Sequence, residues 1–391
     1  MSITLIGCGC GSLTREADDA IRQAGLLVGS ARLLEMYGTG KRCAEAVTAQ
    51  AIAAALGAYD GEAACVLFSG DSGFYSGARL LLPLLEGRDV RVLPGISSAQ
   101  AFAAALGESW QDWRLCSAHG VDCDPVEEVC HGQKTFFLTG GKRDPAALCR
   151  ELAEAGLGFL NVAVGEELGT EREHIVRGSA EQLQSVSFAP LSVMLAEAAP
   201  CADKRAPGWP DDCFLRAEGV PMTKQVLRAA AIAKLGVCPE ETCWDVGAGT
   251  GSVGIELAML CRRVYAVERE STAIKVAAEN RRRLGAWKLR LIPGQAPEAL
   301  KELPAPDAVF VGGSGGKMKE ILYAVHHANP AARVCVAAVT LEGLHNAYTT
   351  LRELGRKTEV TQLSVSRSRE TGELTMMLAQ NGVYLIVGRA P

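Results

Sequence analysis

The chain has 391 residues, 48% of them hydrophobic and 22% charged, with a formal net charge of −5. That length exceeds one ordinary domain, so two are expected. The acidic balance argues against a general nucleic-acid binder, and no apolar stretch reaches membrane-spanning length. The opening "MSITLIGCGCGS" lacks the basic start of a signal peptide and reads as a strand, so a cytoplasmic protein is expected. The 14 cysteines are scattered without a C-x-x-C pair, and the six histidines are dispersed. Cys8 and Cys10 form C-x-C and Cys130 adjoins His131, but no second pair at zinc-ligand spacing accompanies them. Reduced cysteines packed as small hydrophobes, with no metal site, are the expectation.

Along the first half, "ITLIGCGCG" is a strand running into Gly7, Gly9 and Gly11. "ACVLFSGDSGFYSGARLLLPLL" reads as strand, glycine-rich turn and helix. "VRVLPGISSAQAFAAALG" repeats that plan, with Ser97 or Ser98 as the helix N-cap. "RLCSAHG" and "TFFLTGG" are further strands ending in small polar loops. "LNVAVGEELG", "EHIVRGSAEQL" and "LSVMLAE" form a more β-rich tail. Residues 197–212, "EAAPCADKRAPGWPDD", carry three prolines and no periodicity, and read as a linker.

The second half alternates strand and helix. Helical spacing covers residues 222–235, 252–260, 272–284, 318–327 and 341–354. Strand-like runs cover 242–246, 264–267, 289–292, 308–311 and 334–339. His326 and His327 then fall at a helix end. This alternation predicts a doubly wound, mostly parallel sheet with helices on both faces. "TEVTQLSVS" and "VYLIVG" follow with no convincing helix between them, and predict a terminal antiparallel pair, for seven strands in all.

The loop "DVGAGTGSVGIE" joins the first of these strands to its helix. Its glycines run G-x-G-x-G rather than G-x-G-x-x-G, with Ser252 at the third fingerprint position. Asp245 stands two residues before Gly247. A carboxylate there suits a cationic ligand better than a pyrophosphate, because a helix N-terminus already attracts anions. S-adenosyl-L-methionine carries a sulfonium and an ammonium and no phosphate. "VYAVERE" ends a second strand at Glu268, 21 residues after Gly247 (268 − 247), where an acid can hold both ribose hydroxyls. A ligand-free turn and a nicotinamide site are the alternatives at this point.

In order, "GCGCGSLT", "SGDSGFYSG", "LPGISSAQ", "SAHG" and "LTGG" resemble the tetrapyrrole methylase family, in particular members acting at carbon 5 of the corrin precursor. "GVPMTKQ", "WDVGAGTGSVGIE", "VYAVERE", "GQAPEAL", "VFVGGSGG", "AVTLE" and "SVSRSR…GELTMM" resemble the methyltransferase that partners it. Nearly the whole chain is thus similar to the fused C5,15-methyltransferases (decarboxylating) of cobalamin biosynthesis. The pattern departs in places. Cys10 and Ser12 stand where the first loop usually has proline and an acid, Ser72 replaces a proline, and Gln295 replaces an acid.

The resemblance implies an α/β protein in two parts. A bilobal tetrapyrrole methylase fold spans 1–199, a linker 200–212, and a doubly wound Rossmann-like methyltransferase with a seven-stranded sheet 213–391. It implies one S-adenosyl-L-methionine per domain, methylation at carbons 5 and 15, and loss of the ring C acetate carboxylate. In the second domain the donor would lie against Thr223, Gly247, Ala248, Gly249, Thr250, Gly251, Glu268 and Ala296. In the first it would lie in a cleft between lobes, against Gly70, Asp71, Ser97, Ser98, Ala118 and His119. The substrate is a polycarboxylate tetrapyrrole, so cations should meet it. Arg367 and Arg369 alternate along a strand and share a face; Lys224, Lys317 and Lys319 are lesser candidates. The glycine loop Gly312, Gly313, Ser314 and Gly315 can approach a flat macrocycle closely. No charged catalytic dyad stands out. Stand-alone relatives suggest a homo-oligomer, with no nucleic-acid or membrane partner. The alternative keeps the donor but changes the acceptor, for example to RNA, with the first domain as a non-catalytic scaffold.

Overall fold

The computed structural model describes residues 1–120, 123–201 and 207–390. Two compact units divide the chain, Met1–Ala198 and Ala199–Pro391.

The first unit holds two five-stranded sheets. Strands β1 (Ser2–Cys8), β2 (Leu26–Gly29), β3 (Arg42–Glu45), β4 (Ala63–Ser69) and β5 (Asp89–Leu93) are all parallel, in the order β3-β2-β4-β1-β5. The central strands are near-continuous apolar runs, as expected of a sheet covered on both faces. Strands β6 (Arg114–Ser117), β7 (Thr135–Leu138), β8 (Asn161–Glu166), β9 (His174–Ser179) and β10 (Ser192–Ala196) follow, in the order β6-β7-β10-β8-β9. Only the β6–β7 pair is parallel, and β8, β9 and β10 are the β-rich tail. Helix Ser98–Leu106 joins the two lobes. Ser97 caps it in a reciprocal box with Gln100. Its Ala99, Phe102 and Ala103 pack with Trp113, Phe136, Ala163, Val193 and Leu195 of the second lobe.

The second unit is built on a seven-stranded sheet. Its strands are β11 (Thr242–Val246), β12 (Arg263–Glu268), β13 (Leu289–Pro293), β14 (Ala308–Val311), β15 (Arg333–Ala338), β16 (Lys357–Leu363) and β19 (Val383–Arg389), ordered β13-β12-β11-β14-β15-β19-β16. β19 runs antiparallel to both neighbours, which is the terminal pair expected from "TEVTQLSVS" and "VYLIVG". Alternate residues feed two cores. Cys243, Val264, Phe310 and Leu385 face helices Gln225–Leu235 and Ser252–Ala258. Trp244, Val267, Val309 and Ile386 face helices Met318–Ala328 and Leu341–Glu353. The strand expected to carry Arg367 and Arg369 is β17 (Ser366–Thr371), but its partner β18 (Leu374–Ala379), with which it forms a separate antiparallel hairpin, was not foreseen. "LTMMLA" has no period-two pattern, and Leu374, Met376, Met377 and Leu378 are all exposed, so no buried face marks it in sequence.

The segment read as a linker is partly something else. Residues 202–206 lie outside the described residues. Beyond them, Trp209 and Asp211 are buried. Glu256, on helix Ser252–Ala258, accepts hydrogen bonds from Gly208 N (2.6 Å) and Trp209 N (2.9 Å). Arg228, fully buried, donates to Glu256 (2.5 Å), Asp211 (3.4 Å) and the carbonyl of Trp209, and stacks on Phe214 at 4.6 Å. Low hydrophobic periodicity concealed this, because the segment is held by polar contacts to its backbone.

Asp245 is a second buried charge in this unit. It sits on the β11 face turned to helix Ser252–Ala258 and accepts from Gly254 N at 2.7 Å; its other oxygen is without a partner among the described residues. Burial pushes its carboxyl up to about 7, opposed by the Gly254 N–H and reinforced by the Glu268 charge.

Two predictions follow from these charges. Arg228→Leu leaves Glu256 buried without its cation and removes one of the two that face Asp211, and should lower the stability of the second unit by about 3–5 kcal/mol in chemical denaturation. For Asp245, a folded-state value near 7 lies above the unfolded value of about 4. The wild-type contribution is therefore full below about pH 4 and is lost as pH rises through about 7. Asp245→Asn should stabilise the unit by an increment that grows over that interval and is level above it. An increment independent of pH, measured from urea midpoints, contradicts this.

Candidate functional site

In the second unit, the carboxyl ends of the parallel strands open into a cavity of about 820 Å³. The loop after β11 forms one wall. Gly247 and Gly249 have φ of 73° and 55°, in the left-handed region that side chains avoid. Space excludes side chains as well. A Cβ on Gly247 would lie 2.5 Å from the Gly313 carbonyl oxygen, and one on Gly249 would lie 2.3 Å from that of Pro221. Three loops therefore meet backbone to backbone: the one after β11, the one after β14, and the stretch before helix Gln225–Leu235. Glu268 clamps the wall. One carboxylate oxygen accepts from Gly249 N (2.9 Å), the other from Arg269 N (2.8 Å) and Glu270 N (3.0 Å).

Thr223, Gly247, Ala248, Glu268, Ala296, Gly312, Gly313, Ser314 and Gly315 all line this cavity, as does Lys224. Gly249, Thr250 and Gly251 are not part of its wall. They hold the loop in shape: Thr250 is fully buried, its N–H donates to the Pro221 carbonyl (3.2 Å), and its carbonyl accepts from Asn280 (3.0 Å). Asp245 also stays off the wall. Its carboxylate serves the strand–helix contact rather than facing a cationic ligand, because alternation along β11 turns it to the helix side. Arg367 reaches Asp211 (3.4 Å). Lys317 pairs with Glu298 (3.1 Å) and Lys319 with Glu353 (3.0 Å). Arg367, Arg369, Lys317 and Lys319 do not line the cavity. Sequence reasoning missed Met222, Gln295, Val339 and Val383 on the wall. Val339 follows β15 at its carboxyl end and Val383 opens the antiparallel β19, so sheet direction was the available signal.

In the first unit the corresponding edge is also built from touching glycines. A Cβ on Gly7 would lie 2.7 Å from Gly95 N and 2.8 Å from the Gly70 carbonyl oxygen. Asp71 ties two of these loops, accepting from Gly73 N (2.8 Å) and Gly95 N (3.0 Å). Gly70, Asp71, Ser97 and Ser98 thus belong to one neighbourhood. Ala118 and His119 follow β6, and the His119 imidazole lies against Gly140, where a Cβ would be 1.9 Å from its Nδ1. The unusual first loop is well formed. Cys10 adopts φ 46°, and Ser12 N donates to the Gly9 carbonyl at 3.0 Å. Ser72, in place of a proline, donates to the Leu93 carbonyl at 3.1 Å and so ties the β4 loop to β5.

Comparison with known proteins agrees with two units of different kinds. Residues 2–184 match the tetrapyrrole (corrin/porphyrin) methylases and residues 213–387 the precorrin methyltransferase domain. A precorrin-6Y C(5,15)-methyltransferase [decarboxylating] from Sinorhizobium sp is 30% identical, across 87% of this chain and 85% of that protein. A probable cobalt-precorrin-6B C(15)-methyltransferase (decarboxylating) from Pyrobaculum calidifontis is 42% identical, across 47% of this chain and 96% of that protein. A solved precorrin-6Y C5,15-methyltransferase structure from Geobacter metallireducens GS-15 is 34% identical, across 48% of this chain and 98% of that one, with a TM-score of 0.46. Among the described residues no helix is long and apolar enough to cross a membrane. With a relative of both halves matched in order, the chain belongs to the precorrin-6Y C5,15-methyltransferase (decarboxylating) family.

Proposed function

We propose that this protein methylates a corrin precursor twice with S-adenosyl-L-methionine and releases one carboxylate as carbon dioxide, in cobalamin biosynthesis. Residues 1–199 act at carbon 5, and residues 213–391 act at carbon 15 and decarboxylate the ring C acetate chain. One donor binds per domain. The observation that carries this reading is the cavity of the second unit, walled by Gly247, Ala248, Glu268 and the glycine loop Gly312–Gly315.

The residues present fit the donor. The loop after β11 has no room for side chains at Gly247, so a ligand meets bare backbone there. The Glu268 oxygen that accepts from Gly249 keeps a second lone pair and can accept from a ribose hydroxyl as well, whereas the other is already taken by Arg269 and Glu270. Thr223 and Ala296 close the sides. When bound, the donor supplies an already activated methyl group on a sulfonium. The chain therefore has mainly to position the nucleophilic ring carbon and keep water away. Gly312, Gly313, Ser314 and Gly315 offer a low wall against a flat macrocycle, and Lys224 supplies a positive charge for its carboxylates. Loss of carbon dioxide breaks the bond from the acetate methylene to the carboxyl carbon, and its electron pair passes into the conjugated ring. In the first unit, Gly70, Asp71, Ser97, Ser98, Ala118 and His119 are proposed to hold the other donor.

We also propose a homo-oligomer. A two-stranded hairpin is marginal alone in water, and β17–β18 leaves Leu374 73% and Met377 65% exposed.

Glu268→Ala should weaken donor binding to the second unit by roughly 2 kcal/mol, about thirtyfold in Kd, in calorimetry on the full chain. Unchanged affinity at that site contradicts the assignment. Product mass with labelled methyl donor tests the whole reading: two methyl groups gained and one carbon dioxide lost are expected. Leu374→Glu with Met377→Glu should lower the sedimentation mass of any oligomer.

A further inference from the structure

Cations are distributed unevenly beside the second unit's cavity: Lys224 and Arg269 are on its wall, whereas Arg216 and Arg367 are off it. On the side of helix Gln225–Leu235, Asp211 organises a cluster. Its Oδ1 accepts from Gln225 N (2.8 Å) and from Arg228 (3.4 Å), and its Oδ2 faces the Arg367 guanidinium at 3.4 Å. Arg216 donates to the Asp211 carbonyl at 3.3 Å. Lys224 lines the cavity, and its ammonium has no hydrogen-bonded or ion-paired partner among the described residues. Its ammonium is held below the usual range by burial and by Arg216, against the pull of Asp211, with Arg367 and Arg228 adding to the depression. Arg228 is already neutralised by Glu256. Arg216, Lys224 and Arg367 are thus three cations around one acid. Glu218, also on the cavity wall, makes no ion pair with them among the described residues.

The glycine side is different. Arg269 approaches Gly315 but pairs with Glu270 at 3.1 Å, and Lys317 pairs with Glu298. Both of those cations are paired, and Glu268 on the same wall adds a negative charge.

Resting on the functional reading above, we infer that Arg216, Lys224 and Arg367, positioned by Asp211, bind carboxylates of the substrate that are retained, while the carboxylate that leaves lies toward Gly312–Gly315. The chemistry requires this division. A carboxylate gripped by guanidinium and ammonium is stabilised before reaction, and that grip is lost as it becomes neutral carbon dioxide. Cations are useful on carboxylates whose charge does not change, and retarding on the one that departs. The excess charge on one side then orients the macrocycle, with one edge anchored and the reacting acetate where no unpaired cation meets it. Asp211 is a positioning residue: it touches Arg367 and Arg228 at once, linking the cluster to the buried Arg228–Glu256 pair.

The test uses the full-length protein, its tetrapyrrole substrate and labelled methyl donor. Arg367→Gln and Lys224→Gln should each raise the KM for the tetrapyrrole by about tenfold, the loss of one charged hydrogen-bonding group. The KM for the donor and the ratio of carbon dioxide released to C15 methyl transferred should stay as in the wild type. Asp211→Asn should raise the tetrapyrrole KM and leave the donor KM alone, a split that general destabilisation does not produce. Should Asp211→Asn fail to fold, the Arg367 and Lys224 variants still decide. An unchanged tetrapyrrole KM in both overturns the inference. So does a rise in carbon dioxide per methyl, the result of taking a retarding cation off the departing carboxylate, which would put that carboxylate at the cluster. A wild-type protein that neither methylates nor decarboxylates overturns the functional reading itself, and this inference with it.

Discussion

The second unit's cavity depends on one contact: the backbone of Gly247 against that of Gly313. The two loops leave adjacent parallel strands, β11 and β14, and meet with no side chain between them. Any Cβ at Gly247 would push them apart. Glu268 then fixes the first loop from the far side through Gly249, and Pro221 closes on it from the segment before helix Gln225–Leu235. A rigid, side-chain-free wall leaves backbone groups and one carboxylate as its polar surface. That surface suits a ligand of modest charge and many hydroxyls, and leaves room beside it for a large flat partner.

The first unit uses the same physical device on an unrelated topology. Gly7, Gly70 and Gly95 bring three strand ends into backbone contact, and Asp71 takes the bridging place that Glu268 takes in the second unit. In both cases an acid spends its lone pairs on loop N–H groups, which stabilises loops that carry almost no apolar contacts of their own. The departures from the family pattern become intelligible on this basis. Ser72 and Cys10 sit where backbone geometry, not side-chain chemistry, carries the loop, and Ser72 adds a hydrogen bond that a proline cannot make.

Charge is handled in two ways in the second unit. Arg228 and Glu256 are buried and mutually satisfied, and they recruit Gly208, Trp209 and Asp211 to the domain. Arg216, Lys224 and Arg367 remain in excess nearby. The buried pair gives that excess a fixed place, because Asp211 joins both sets. A segment without hydrophobic periodicity thus becomes a structural element and part of the rim of a site.

The sequence by itself determined the division into two α/β halves, the strand–helix alternation of the second, and a glycine loop followed by an acid, Glu268, at the end of the next strand. These are local or short-range properties: period, turn chemistry and spacing survive without tertiary information. It also identified Gly312–Gly315, because a strand that ends in glycines announces a loop at the carboxyl edge. Only the tertiary structure decided which of those residues face the cavity. Gly249, Thr250 and Gly251 share a motif with Gly247 yet turn inward, since the loop must also cap its helix and pack on Pro221 and Asn280. Asp245 sits on the opposite face from the wall because strand alternation is fixed by which core each residue joins. The hairpin β17–β18 and the docking of Trp209 were illegible for the converse reason. Exposed methionines bury nothing in the single chain, and a backbone held by a distant buried glutamate leaves no periodic trace in its own sequence.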